Sequence, residues 1–129
     1  MTRNTDPVRY PRTAADAVHA FNHTTLIGAG RPALAYPGTL HRTVDGFASL
    51  AIRLPQAFDQ IGLALASLYQ SGHLTADHGT PTEHAGAAAM ALRDAEHHAN
   101  AMALCLQRAW TATNPLGWNG PLNDHDDDL

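Results

Sequence analysis

Asp16, His19 and His23 have the residue types and spacing of a metal site. A helix puts residues three and four apart on one face, so one carboxylate and two imidazoles at these intervals can reach a common divalent transition metal, the one cofactor the chain suggests. The segment His19-Ala20-Phe21-Asn22-His23 lacks the glutamate that serves as general base in HExxH zinc proteases. This face lies opposite Ala17, Val18 and Phe21, and a solvated polar face explains it more simply in a chain with nine histidines.

Other reactive side chains form weaker sets. His73, Asp77, His78 and His84 gather around one turn, at a spacing that fits no structural zinc pattern. Glu96, His97 and His98 are adjacent, and neighbouring helical residues point about 100° apart, so His97 and His98 cannot share a substrate. Cys105 is the only cysteine, which excludes an internal disulfide; Arg108, one turn on, is the only group placed to favour its thiolate. Gly28 and Gly30 are too few for a dinucleotide loop and follow a helix rather than a strand. No nucleophile, base and orienting group share a motif, so the chain reads as non-catalytic.

Charge narrows the partners. The net charge of −4 divides into +3 over residues 1–42 and −7 over residues 43–129. An acidic body is a poor match for phosphates, which argues against nucleic acid. The alternative is an accessory contact through an arginine arm of Arg3, Arg9 and Arg12. All eight basic residues are arginine, and with 24 alanines this is the bias of a GC-rich coding sequence. No apolar run reaches the roughly 18 residues of a membrane span, because Arg53, Pro55 and Gln56 interrupt the longest one. With a single cysteine and no apolar leader at the N-terminus, the expected compartment is the cytoplasm.

The elements that position these residues are helical. At 129 residues with 44% hydrophobic content, the chain suits one domain. Residues 1–12, with Pro7 and Pro11, read as a flexible arm. Thr13 can cap a short helix from Ala14 to about Thr25, with Asp16 near its positive end. Residues 28–38 form a loop. A long helix starts after Thr39 or Thr43 and runs to Ser71; Leu40, Phe47, Leu50, Leu54, Phe58, Ile61, Leu65 and Leu68 repeat along one face. Pro55 interrupts its bonding, but the phase holds across it, which predicts one kinked helix rather than two. Thr80-Pro81-Thr82-Glu83 combines an N-cap, a proline at the first helical position and a capping box. It opens a helix over 81–112, with a stripe of Ala85, Ala88, Leu92, Ala95, Ala99, Met102, Leu106 and Ala109. Residues 114–129 read as an irregular acidic tail.

The expected fold is therefore all-α: a short N-terminal helix packed on a long antiparallel helical hairpin within a single domain, 13–113. Bulky side chains on one rod face alanines on the other, which allows close approach. Ile52, Leu63, Met90 and Leu104 point away from this seam and mark an interaction surface, most simply for a second copy in a homodimer or for another protein.

Two resemblances complete the reading. The stretch Tyr36–Leu40 followed by Leu50–Ala57, above all Arg53-Leu54-Pro55-Gln56-Ala57, resembles small, alanine-rich helical proteins of actinobacteria. It covers residues 36–70 and implies a helical protein with no assigned activity, so it carries over no site residue. Trp118-Asn119-Gly120 is similar to the Trp-x-Gly turn of small secreted helical-hairpin proteins. In that group the turn lies between the helices, whereas here it follows the last one, so nothing is inferred from it.

Overall fold

The computed structural model describes residues 6–26 and 31–121. Three helices carry the chain: α1 (Arg9–Thr24), α2 (Pro37–Gln70) and α3 (Pro81–Thr113), with a short 3₁₀ turn at Arg31–Leu34. The fold is all-α, and α2 and α3 pack on each other as a hairpin. The chain divides into two compact units, Met1–Leu40 with Gly117–Leu129, and His41–Leu116. Arg3, Gly28, Gly30 and the acidic residues Asp124–Asp128 lie outside the described residues.

α1 begins five residues ahead of the expected Ala14 and absorbs the end of the expected arm. Its first-turn N–H groups have no intrahelical acceptor, so Pro11 forfeits no bond there. Asp6 Oδ1 accepts from the Val8 N–H at 3.1 Å just before the helix, and Val8, not Thr13, is the cap position. At the other end the Thr25 hydroxyl donates to the Phe21 carbonyl at 2.8 Å.

α2 opens at Pro37, whose fixed φ suits the first helical position. It then runs through Pro55 as one element, so the unbroken phase of the sequence prevails over the lost N–H to the Ala51 carbonyl. Gly72, at φ 77°, and Gly79, at φ 64°, supply the left-handed conformations that turn the chain back. α3 starts as its sequence demands. The Glu83 N–H donates to Thr80 Oγ1 at 3.1 Å, and the Thr80 N–H donates to Glu83 Oε2 at 3.3 Å.

Hydrogen bonds near each end fix the hairpin as antiparallel. Tyr69 Oη and Thr82 Oγ1 are 2.8 Å apart beside the turn. His41 Nδ1 and Thr113 Oγ1 are 2.7 Å apart at the open end. Near the turn, residue n of α2 is level with residue 151 − n of α3, since 69 and 82 sum to 151, and toward the open end the sum rises to 154 at His41 and Thr113.

Among the described residues the fully buried apolar ones are two alanines, Ala51 at 1% and Ala99 at 4% exposure. Ala51 is level with Asn100, next to Ala99, so the helices meet along small side chains. The covered stripe of α2 includes Val44, Ala48, Ala51, Pro55, Phe58, Gly62 and Leu65; that of α3 includes Ala85, Ala89, Leu92, Ala99, Ala103 and Leu106. The expected seams are correct in period but rotated by about one residue in places. Leu50, Ile61, Leu68 and Met102, expected inside, are 37%, 51%, 56% and 43% exposed. An apolar stripe wider than about 100° is more than one neighbouring helix can cover.

Candidate functional site

The hairpin His41–Leu116 has two broad sides, separated by the line of contact through Ala51 and Ala99. One side is a groove of about 590 Å³ whose walls include Asp45, Ser49 and Ile52 from α2 and Asn100, Leu104 and Gln107 from α3, with Trp110 at one end. Asp45 is the one ionisable group in that lining. Nearer the turn, small residues line a shallower hollow on the same side, Gly62 and Ala66 against Ala85, Gly86 and Ala89.

The opposite side follows from a rotation of about 100° per residue away from Ala51 and Ala99. On α2 it carries Leu50, Leu54, Ala57, Ile61, Ala64 and Leu68; on α3 it carries Ala88, Ala91, Ala95, His98, Met102 and Cys105. Asp45, Asp59, Arg93 and Glu96 all project to the groove side. The other side has charge only at its outer edges, from Arg42 and Arg53 on α2 and from Asp94 and Arg108 on α3. Arg53 Nη1 donates to the Ser49 carbonyl at 2.7 Å, which holds its side chain along α2. Arg108 Nη2 lies 3.1 Å from Cys105 Sγ, and Cys105 is exposed.

The four residues expected to form the interaction surface are all exposed, but they do not form one patch. Ile52 and Leu104 line the groove together. Leu63 lies on the groove side of α2, whereas Met90 points almost directly away from α2. The exposed row of Leu50, Ile61, Leu68 and Met102 was missed because periodicity assigned all four to the seam. The signal that could have found it is the width of the apolar stripe on α2, which exceeds the contact alanine-rich α3 can offer.

The ionisable clusters are placed as follows. Asp16, His19 and His23 are exposed on α1. Among the described residues no three His, Cys, Asp or Glu side chains are grouped so as to hold a metal ion. In the turn, the rings of His78 and His84 stack at 5.0 Å, and His84 Nε2 lies 2.7 Å from the His78 carbonyl oxygen. This links the turn to the capping box without recruiting His73 or Asp77. His97 and His98 meet edge to face at 6.0 Å on adjacent faces of α3. Arg9 lies over the Tyr10 ring at 4.8 Å and donates to its hydroxyl, so the expected arginine arm is partly helix. Among the described residues no helix is long and apolar enough to cross a membrane.

The chain matches no protein-family model, no curated protein and no solved structure.

Proposed function

We propose that this chain is a non-catalytic protein–protein interaction module of the cytoplasm, an adaptor or assembly unit that acts through its helix faces and associates with further copies of itself. One observation carries this reading. A hairpin of two helices, 34 and 33 residues long, fully buries only two alanines and leaves Leu50, Ile61, Leu68 and Met102 in water along one side. Each such side chain gains about 1.5–3 kcal/mol on full burial, so the pair of helices is an incomplete core. A contiguous apolar surface on a small helical unit marks an association site. The exposed Ile52 and Leu104 add a second face with the same character.

Light scattering on the eluting protein tests the proposal. The expected mass is a multiple of 13.8 kDa that falls as the sample is diluted. A mass fixed at 13.8 kDa up to about 100 μM, weaker than about −5.5 kcal/mol of association, overturns it.

A further inference from the structure

The uncharged side of the hairpin has the pattern of a surface that fits itself. Its α2 half is bulky, with Leu50, Leu54, Ile61 and Leu68, whereas its α3 half is mainly small, with Ala88, Ala91 and Ala95. We infer that a second copy packs on this side about a two-fold axis parallel to the helices, so that α2 of each copy lies on α3 of the other and the four helices form an antiparallel bundle. The inference rests on the self-association proposed above and specifies its face and geometry.

Three features select this arrangement. The register of 151 − n puts Ile61 level with Met90 and Ala91, so across the axis the isoleucine of one copy falls on the alanines of the other. Leu50 is level with Ala101 and meets Met102 of the second copy. A two-fold axis across the helices instead would stack leucine on leucine and leave the alanine rows facing a gap. One pair of edge charges also agrees. Arg53 is level with His98 and one turn from Asp94, so the parallel axis brings each arginine to the aspartate edge of the other copy, twice. Finally, the area suffices. The side from Phe47 to Leu68 is about 33 Å long at 1.5 Å per residue. Two helices set 8–10 Å apart make it about 20 Å wide, giving a total burial of about 1,300 Å² over both copies. That lies within the range of stable protein interfaces.

Gly46 and Cys105 provide the test. They lie within about two or three residues of the same level, between the Tyr69–Thr82 and His41–Thr113 pairs, and they sit on opposite outer edges of one copy, separated by the width of both helices. About the proposed axis, Gly46 of each copy lies beside Cys105 of the other. A Cβ added at Gly46 meets nothing within 4 Å in the single chain, so Gly46→Cys is tolerated. Under mild oxidation by molecular oxygen, which takes up the two electrons and two protons of each thiol pair, the full-length Gly46→Cys protein should form a disulfide dimer of twice 13.8 kDa. The wild type and Ser49→Cys, which places its thiol toward the groove side, should not. In parallel, Ile61→Glu should weaken association about tenfold or more with helicity unchanged, and Ile52→Glu should not. A wild type that stays monomeric defeats the self-association reading itself. A dimer that fails to cross-link through Gly46→Cys, or that dissociates with Ile52→Glu but not Ile61→Glu, overturns only this face and axis.

Discussion

His41 Nδ1 lies 2.7 Å from Thr113 Oγ1, joining residues 72 apart in sequence and closing the open end of the hairpin. The same hydroxyl lies 3.1 Å from the Trp110 carbonyl, so it stands between the imidazole and a backbone acceptor. The indole of Trp110 lies 5.2 Å from the imidazole and shields the bond on one side. Thr113→Val keeps the shape and removes the hydroxyl. It should cost about 1 kcal/mol in urea unfolding, and it should speed amide exchange around His41 while leaving that around Tyr69 unchanged. An unchanged midpoint would mean that this end of the hairpin contributes nothing through the bond.

At the other end, stability begins with a local motif. Thr80 and Glu83 satisfy two N–H groups reciprocally at the start of α3. Thr80→Ala should cost about 1 kcal/mol. Glu83→Gln, which keeps the acceptor oxygen, should cost less than Glu83→Ala. Equal losses for the two Glu83 variants would show that the carboxylate acts through the helix dipole rather than through its bond to the Thr80 N–H.

These two ends differ in how far sequence reveals them. The cap at Thr80 is written in four consecutive residues, each with its own local reason, and the structure reproduces it bond for bond. The period of α2 is equally local, and it survives Pro55. The bond from His41 to Thr113 depends on the register between two rods, which no window of sequence contains. Rotation about each helix axis is non-local too. Ala51 rather than Leu50 reaches α3 because two alanine-lined faces approach most closely, and a pattern of leucines cannot report that choice. The missed start of α1 has another cause: Pro11 reads as a breaker until it is placed in the first turn, where its missing N–H costs nothing.

Close approach at Ala99 gives a prediction of opposite sense to ordinary core mutations. Ala99 is 4% exposed and faces the α2 contact line near Ala51. Ala99→Leu adds three carbons where the helices leave no room, and should destabilise the hairpin by about 1–3 kcal/mol. Ala101→Leu, two positions on and exposed, should change stability by no more than about 0.5 kcal/mol. Urea midpoints for the two variants check this directly. A neutral Ala99→Leu would mean that the helices can separate freely at their midpoint.

Trp118 closes its own turn by donating from Nε1 to the Pro121 carbonyl at 3.2 Å, and its ring meets Tyr36 edge to face at 5.8 Å. The residue that permits this is Gly120, where a Cβ would come within 2.7 Å of Trp118 Cζ2. That atom belongs to a rigid ring held on two sides, so it cannot give way as a flexible side chain would. Gly120→Ala should therefore break the indole bond and displace the ring. The helices end before this segment, so far-UV circular dichroism should stay as it is. The indole N–H resonance of Trp118 should shift and exchange faster with solvent, while that of Trp110 stays in place. Both indole signals remaining unmoved would show that the turn holds Trp118 without the space Gly120 leaves for it.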